Sequence, residues 1–223
     1  MARSRLDERA IAFRVAKEFS DGMVINLGIG IPTLCANFIP LGREILFHSE
    51  NGVIGFGEII ENPNLADPTL INAGSQPVLR RPGMAIVDQA ESFAVIRGGH
   101  LDLAVLGAFQ VSEQGDLANT VMPGKSIGSI GGAQDLAFCA KRVIVAMTHV
   151  DRDGRPKIVR RCTSPVTAPR CVNLIVTDIA VIAVSGEGLT LLEYAPGWSV
   201  EEIQALTEPH LRTSPTLREI ELL

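Results

Sequence analysis

The sequence predicts an α/β protein in which an open, mostly parallel sheet is covered by helices. Short, nearly continuous apolar runs alternate along the chain with segments of helical periodicity, which is the pattern of buried parallel strands joined by helices. With 223 residues, 46% of them hydrophobic, the chain is long and apolar enough to bury a substantial core. It contains no internal repeat, low-complexity tract or long linker, so we expect a single domain over residues 1–223.

The chain begins with a predicted helix, strand and second helix. Apolar residues at helical spacing from Leu6 to Phe19 predict an amphipathic helix that ends at the turn 20–22. The apolar run 23–27 follows as a strand, and the glycine turn 28–33 leads into a helix that reaches Phe38. Further buried strands are predicted at residues 44–48, 84–87, 103–106, 143–146 and 174–176.

The last third of the chain predicts a β-hairpin and a closing helix. Two apolar runs, 178–185 and 189–194, are joined by a turn that contains Gly186 and Gly188. Ser199 precedes an apolar-periodic run with glutamates in its first turn, which is typical of a helix N-cap. The segment 151–156 is short and polar enough to form a surface turn.

Composition excludes several classes of partner and site. The 20 basic and 25 acidic residues give a net charge of -5 without any basic block, so nucleic acid and anionic membranes are not expected partners. No apolar run approaches the roughly 20 residues of a spanning helix, and the N-terminus lacks the apolar core of a signal peptide, so we expect a cytoplasmic protein. The four cysteines form no CxxC, which favours buried thiols over a metal site or disulfides.

A glycine turn follows the first predicted strand, formed by Gly28, Ile29, Gly30, Ile31 and Pro32. A strand, glycine turn and helix start can present free backbone N–H groups to an anion. The turn lacks the third glycine of a dinucleotide fingerprint and the lysine of a P-loop. A phosphate-binding loop and a tight structural turn therefore remain equal alternatives.

Glu50 lies in the segment Ser49-Glu50-Asn51-Gly52, directly after a predicted strand. Open α/β sheets bind their ligands at the carboxyl ends of their strands. A desolvated carboxylate at that edge, with N–H groups nearby to stabilise an oxyanion, can act as a nucleophile. On spacing alone, an ordinary turn with a solvated glutamate is the preferred interpretation, because Asn-Gly is a common turn signal.

Other polar residues allow both a functional and a structural interpretation. Gly131 and Gly132 open a predicted helix to Lys141 and could donate N–H groups to an anion. Asn119 and Lys125 could reach a ligand, or could cap a turn and remain solvated. For His100 a hydrogen bond to backbone is preferred over catalysis, and the histidines show no metal-binding or triad spacing.

The segments GIGIP, SENG, INAG, SFAVIRGGHLDLAVLGAFQV, GDLANTVMPGK, GGAQDL and RCTSPVT…CVNLIVTDIAV together resemble one family. They are similar to the β subunit of the family I 3-oxoacid CoA-transferases, the succinyl-CoA:3-ketoacid or acetoacetate type. The resemblance runs from about Leu6 to Ser214. It implies a NagB/RpiA/CoA-transferase-like fold and a role in ketone body metabolism.

The resemblance implies a nucleophile and a covalent intermediate. Glu50 would attack the acyl-CoA thioester to give an acyl-glutamyl anhydride and then a glutamyl-CoA thioester, from which CoA passes to a carboxylic acid. A backbone N–H of Gly131 or Gly132 would stabilise the oxyanion, together with an asparagine of an α subunit. The residues implied for CoA binding are Gly28, Ile29, Gly30, Ile31, Pro32, Asn51, Asn119, Gly124 and Lys125.

Coenzyme A is thus implied as substrate and covalent intermediate, with no permanently bound cofactor and no metal. An α subunit is implied as partner in an α2β2 heterotetramer, and the other ligands would be an acyl-CoA such as succinyl-CoA and a small 3-oxoacid such as acetoacetate. Ser75, Thr120 and Gln134 depart from the residues typical of the family, and we expect them around the acyl pocket. A different acyl substrate such as 3-oxoadipate, an acyl-CoA hydrolase and a non-catalytic scaffold subunit remain alternatives.

Overall fold

The computed structural model describes residues 4–62, 64–121, 128 and 131–222. The helices are α1 (Glu8–Ala16), α2 (Ile31–Leu34), α3 (Gln89–Arg97), α4 (Ala133–Cys139) and α5 (Val200–Ala205), and a 3-10 turn follows α2 at Cys35–Asn37. The strands are β1 (Val24–Leu27), β2 (Leu46–Ser49), β3 (Val53–Phe56), β4 (Ala85–Ile86), β5 (Leu103–Leu106), β6 (Gln110–Ser112), β7 (Leu117–Ala118), β8 (Val143–Ala146), β9 (Ile158–Val159), β10 (Leu174–Val176), β11 (Ala180–Ser185), β12 (Gly188–Tyr194) and β13 (Leu211–Glu219).

A ten-stranded sheet in the order β13-β12-β11-β10-β8-β5-β1-β2-β3-β4 forms the centre of the fold. Its inner strands from β10 to β2 are all parallel, while β3, β4 and β11 pair antiparallel with their neighbours. This confirms the predicted open, mostly parallel sheet. A smaller sheet in the order β7-β6-β9 lies beside it.

Successive residues of an inner strand face opposite sides of the sheet. In β2, the ring of Phe47 contacts Phe19, which follows α1, with centroids 6.1 Å apart. The next residue, His48, points to the other side and contacts Ser92 of α3. The segment that follows α1 and the helix α3 therefore cover opposite faces of β2, and its side chains are buried from Phe47 to Ser49. The carboxyl ends of the inner strands meet at one edge of the sheet.

The predicted strands 103–106, 143–146 and 174–176 have the bounds of β5, β8 and β10. The predicted hairpin is also confirmed, because β11 and β12 pair antiparallel from Ser185↔Gly188 onward. Ser199 caps α5 in a full capping box with Glu202, as the sequence pattern predicts.

The structure differs from the predicted elements in several places. The predicted helix up to Phe38 is one α-helical turn followed by a 3-10 turn. The predicted strand 84–87 is a two-residue edge strand whose residues are both exposed. The closing helix α5 is followed by β13, which pairs parallel with β12. Most β13 side chains are not buried, so this edge strand lacks the apolar run that identifies a buried strand.

All four cysteines are free thiols, of which Cys35 is buried and the others are partly buried. Burial raises the pKa of Cys162 and of Cys171 to about 11, so these thiols are protonated at neutral pH. In the part of the chain that the structure describes, every helix is too short or too polar to cross a membrane.

Candidate active site

Glu50 lies in a tight turn at the carboxyl end of β2. The turn is closed by the N–H of Gly52, which donates to the carbonyl oxygen of Ser49 at 2.9 Å. Gly52 has a φ of +104°, and a β-carbon there would collide with the carbonyl oxygen of Val87. Only glycine meets both conditions. The sequence Ser-Glu-Asn-Gly therefore ends a buried strand and presents Glu50 above the edge of the sheet.

The two neighbours of Glu50 tie the turn to the segment 71–73. Ser49 Oγ accepts a hydrogen bond from the N–H of Ala73 at 2.8 Å. Asn51 Nδ2 donates to the carbonyl oxygen of Ile71 at 2.7 Å. These hydrogen bonds hold the backbone on both sides of Glu50, so the position of its side chain depends on the INAG segment noted in the sequence.

The Glu50 carboxyl group faces Gly132 and Asn26. A β-carbon placed on Gly132 would lie 3.2 Å from Glu50 Cδ, so the Gly132 main chain is close to the carboxyl group. Burial raises the pKa of Glu50 above its ordinary value, while the Gly132 backbone N–H and the Asn26 side chain lower it in part. Burial is the largest of these causes. Glu50 is thus a partly desolvated carboxylate whose ionised form is favoured in part by hydrogen bonding from Gly132 and Asn26.

A cavity of about 690 Å³ opens above Glu50. The predicted site residues on its wall are Gly28, Ile29, Gly30, Ile31, Pro32, Glu50, Asn119, Gly131 and Gly132. They come from the ends of β1 and β2, the loop after β7 and the start of α4. The fold therefore brings together residues from four separate segments that the sequence analysis singled out.

The glycine turn has a structural function and also lines the cavity. A β-carbon on Gly28 would lie 3.2 Å from the carbonyl oxygen of Val105 in β5, and Gly30 has a φ of +93°. Because α2 is a single turn, it contributes backbone N–H groups and only a small helix dipole. The two alternatives for this turn are therefore compatible with each other.

Asn119, which follows β7, is oriented by hydrogen bonds to Thr167. Its backbone N–H donates to Thr167 Oγ1 at 3.1 Å, and the Thr167 hydroxyl donates to Asn119 Oδ1 at 2.9 Å. With Oδ1 engaged in this way, the side-chain NH₂ group of Asn119 is the part that can donate to a ligand.

Some predicted site residues lie elsewhere. Asn51 is absent from the cavity wall, because its amide is engaged with Ile71, and its role in CoA binding stays a prediction. Gly124 and Lys125 lie outside the described residues. His100 is exposed and does not line the cavity.

The three departures from the family pattern also lie off the cavity wall. Ser75 and Gln134 are exposed, and Thr120 is directed at Thr167, with 3.3 Å between their hydroxyl oxygens. Ser75 has a φ of 60° and lies in a surface turn. Their effect on substrate choice stays a prediction.

The sequence analysis missed residues on the far wall of the cavity, among them Phe109, Thr148, Arg152 and Lys157. Thr148 follows β8, so the rule that ligands bind at strand carboxyl ends could have found it. Lys157 precedes β9 and carried no signal. Burial lowers the pKa of Lys157 to about 8, against the opposing charges of Asp178 and Asp151. Lys157 and Arg152 make this end of the cavity positive.

This geometry suits covalent catalysis by a carboxylate. A partly desolvated carboxylate is more nucleophilic than a solvated one, and a backbone N–H close to it can bind the oxyanion that forms during acyl transfer. Among the described residues, no group of three histidine, cysteine or acidic side chains is arranged to hold a metal ion. The cavity is large enough for an extended small-molecule substrate.

Comparison with known proteins gives consistent results. The family model for coenzyme A transferase matches residues 9–206. The chain is 45% identical over 210 residues to the beta subunit of an acetate CoA-transferase from Escherichia coli K12, covering 94% of this chain and 95% of the relative. It is 48% identical over 207 residues to a mitochondrial succinyl-CoA:3-ketoacid coenzyme A transferase 2B from Mus musculus, covering 92% of this chain and 40% of the relative.

A solved structure has the same fold. It is an acyl-CoA transferase from Escherichia coli O157:H7 in a thioester complex with CoA, with a TM-score of 0.74 and 22% sequence identity. The match covers 100% of this chain and 44% of that chain. This chain therefore spans less than half the length of the mouse relative and of this structural neighbour, and nearly the whole length of the E. coli K12 relative.

Proposed function

The chain belongs to the coenzyme A transferase family, and from this premise we propose that its Glu50 forms a covalent glutamyl-CoA thioester that carries CoA from an acyl-CoA to a carboxylic acid. The observation that carries the proposal is the placement of Glu50. It lies at the base of the cavity, partly desolvated and facing the Gly132 N–H.

The reaction consists of two acyl exchanges and their reversal. A Glu50 carboxylate oxygen attacks the thioester carbonyl carbon, the C–S bond breaks, and CoA leaves as a thiolate. The product on the enzyme is an acyl-glutamyl anhydride. The thiolate then attacks the glutamyl carbonyl carbon, and the acyl group leaves as a carboxylate. The resulting glutamyl-CoA thioester passes CoA to the acceptor carboxylate by the same steps in reverse, with no net uptake of water or protons.

The residues around Glu50 support each step. Both exchanges pass through tetrahedral oxyanions, and a fixed backbone N–H such as that of Gly132 stabilises charge where it develops. The glycine turn and Asn119 line the cavity that would hold the remote parts of CoA. Binding energy from these parts can be applied to the reacting thioester, since the tail itself does no chemistry.

We propose that an α subunit completes the site in an α2β2 heterotetramer. The match to this chain covers 40% of the length of the mouse relative, which leaves room in that protein for a second part. The E. coli K12 relative is named as the beta subunit of its enzyme. The α subunit would supply the second oxyanion donor, an asparagine side chain, so the β chain alone would have little activity.

The identity of the acceptor acid is the most specific part of the proposal. We propose a 3-oxoacid such as acetoacetate with succinyl-CoA as donor, as in ketone body metabolism. The relatives named for acetate and for 3-ketoacids are similarly identical to this chain, at 45% and 48%. The substrate test therefore also includes 3-oxoadipate.

The test is to trap the thioester on Glu50. The chain is co-expressed with its α subunit, incubated with succinyl-CoA or acetoacetyl-CoA, treated with borohydride and measured by intact mass and peptide mapping. Reductive cleavage of the thioester leaves an alcohol at Glu50, and no such product forms with Glu50→Ala. A glutamyl-CoA that is lost to water without transfer to any acid would indicate a hydrolase. No adduct with any of these donors, including 3-oxoadipyl-CoA, would contradict the proposal and favour a scaffold subunit.

A further inference from the structure

A hydrogen-bond network of three buried side chains, Asn26, His48 and Ser92, lies outside the cavity wall and leads toward Glu50. Asn26 in β1 and His48 in β2 are direct partners in the parallel register. Paired residues on adjacent strands point to the same face of the sheet, so the two side chains meet. Both are fully buried, as is Ser92 of α3, which packs on this face. Burying polar groups in such a position is costly unless they are hydrogen-bonded.

The hydrogen bonds determine the orientation of the Asn26 amide. One side-chain atom of Asn26 lies 3.1 Å from the carbonyl oxygen of His48 and 3.0 Å from His48 Nδ1. A carbonyl oxygen can only accept, so this atom is the amide nitrogen Nδ2. Its other contact, His48 Nδ1, is then an acceptor as well. The amide orientation is thus set by β2 and not by the ligand cavity.

The same bonds determine the tautomer of His48. Because Nδ1 accepts, the ring proton is on Nε2, which lies 3.1 Å from Ser92 Oγ and 3.3 Å from the Ser92 carbonyl oxygen. The Ser92 hydroxyl donates in turn to the carbonyl oxygen of Ser49 at 3.3 Å. The hydrogen-bond network therefore ends on Ser49, the residue that precedes Glu50, and His48 is neutral within it.

One atom of this arrangement is left unsatisfied. Asn26 Oδ1 is buried and has no hydrogen-bond partner among the described residues. An unpaired buried acceptor is costly, and such exceptions in native structures call for a reason. Both His48 acceptors require the amide nitrogen, so the amide oxygen is turned away from them. The Asn26 side chain is one of the two groups whose hydrogen bonding favours the ionised form of Glu50.

We propose that neutral His48 is a positioning residue for Glu50. In this arrangement the two neighbouring His48 acceptors share one N–H of Asn26 Nδ2. The second N–H is then left for the Glu50 carboxylate, and it keeps the carboxylate directed at Gly132 and the cavity. Ser92 fixes the His48 tautomer and links it to the backbone of Ser49. This inference rests on the proposed role of Glu50 as the nucleophile.

Two variants of His48 separate positioning from packing. The glutamine of His48→Gln offers a carbonyl acceptor and an N–H donor, whereas the leucine of His48→Leu fills a similar volume with neither. In the complex with the α subunit we expect His48→Gln to keep kcat within about threefold of wild type. We expect His48→Leu to lower kcat and the rate of thioester trapping at least tenfold with little change in KM, since the carboxylate is misdirected and substrate binding is not.

A pH profile provides the readout that a purely structural role would not move. Without the fixed Asn26 donor, the ionised form of Glu50 is less favoured, so the acid limb of kcat/KM for His48→Leu shifts to higher pH. The other ionisable groups on the cavity wall, Glu8, Arg152 and Lys157, are unchanged in both variants. His48→Gln should keep the wild-type limb.

His149 supplies a matched control. It is another fully buried histidine, hydrogen-bonded to Thr177 Oγ1 at 3.0 Å and Thr207 Oγ1 at 2.9 Å. It lies outside the hydrogen-bond network that leads toward Glu50. His149→Leu should lower the melting temperature without moving the acid limb. A wild-type acid limb and wild-type kcat in His48→Leu would overturn the inference.

The wild-type complex gives a second measurement in case His48→Leu does not fold. Nitrogen NMR of the His48 ring should report the Nε2–H tautomer, and an Nδ1–H tautomer would overturn the inference. Failure of the proposed function is distinguishable, because it would show as no trapped thioester in the wild-type enzyme.

Discussion

A β-carbon placed on Gly132 would lie 3.2 Å from the carboxyl carbon of Glu50 and equally close to Cζ of Phe93. Residue 132 precedes α4 and has a φ of −86°, so its backbone conformation does not itself require glycine. A side chain at residue 132 would instead press on the Glu50 carboxyl group and the Phe93 ring, so that one of them would have to move by a few tenths of an ångström. The backbone N–H of residue 132 is available where the oxyanion would form.

Gly132→Ala should therefore lower activity more than stability. The added methyl group displaces the Glu50 carboxyl group or the Phe93 ring by a few tenths of an ångström. Misplacement of a reacting group lowers the reaction rate. We expect kcat/KM of the α–β complex to fall at least tenfold while the melting temperature changes by only a few degrees. Gly186→Ala is the control, because a β-carbon there meets nothing within 4 Å. Wild-type activity in Gly132→Ala would contradict the close approach.

Activity should show an acid limb at a pH above the ordinary pKa of glutamate. Only ionised Glu50 can attack the thioester, and burial raises its pKa above 4.5. As pH falls through the raised pKa, the nucleophile is protonated and kcat/KM declines. The measurement is a pH profile of kcat/KM for the wild-type complex. An acid limb at or below pH 4.5 would mean that Glu50 is well solvated in the working enzyme.

His149 should make the protein less stable in mild acid. Burial lowers its pKa to about 4 from 6.5, and it is neutral between two threonine hydroxyls. Between pH 6.5 and 4 the unfolded chain therefore binds a proton that the folded chain does not. Stability is fully present above pH 6.5 and falls as pH decreases through this window, by roughly 3 kcal/mol in total.

The measurement for His149 is urea unfolding of wild type and His149→Gln at several pH values between 7 and 4. Glutamine keeps a neutral hydrogen-bonding side chain but does not titrate, so the loss of stability with falling pH should be smaller in the variant. Equal slopes for the two proteins would show that His149 is protonated in the folded state.

Lys157→Met should raise stability and lower activity. Burial lowers the pKa of Lys157 to about 8, so at pH 7 the folded protein holds a charge that burial disfavours. The variant removes this charge, and it should also remove the gain in stability that wild type shows as pH rises from 8 toward 10.5. Lys157 faces the cavity that holds Glu50, and both proposed substrates are anions. We therefore expect a higher KM for the acyl-CoA or the acid.

Lys141→Met is the control for this experiment, because Lys141 is an exposed lysine paired with Asp102 at 2.7 Å. It should leave KM unchanged. An unchanged KM for both substrates in Lys157→Met would show that the positive end of the cavity does not contact them.

The extent of sequence-based prediction differed among the elements according to burial. The inner strands β5, β8 and β10 could be predicted to the residue, because strands buried on both faces consist of continuous apolar residues. The edge strand β13 could not, since it is mostly exposed and stabilised by pairing with β12. Lys157 carries no motif, and nothing distinguishes Phe109 within the family segment that contains it. Both residues join the cavity only because β6 and β9 pair beside the main sheet.

The sequence by itself determined the α/β class, the family resemblance and the turn that presents Glu50, because these depend on local periodicity and on short contiguous motifs. The tertiary structure alone decided what surrounds Glu50. Asn26, His48, Ser92 and Gly132 meet there because β1 and β2 pair in one register and α3 and α4 pack over the same edge. Contacts between distant segments, and the burial that raises the pKa of Glu50, are set by packing, which no single stretch of sequence encodes.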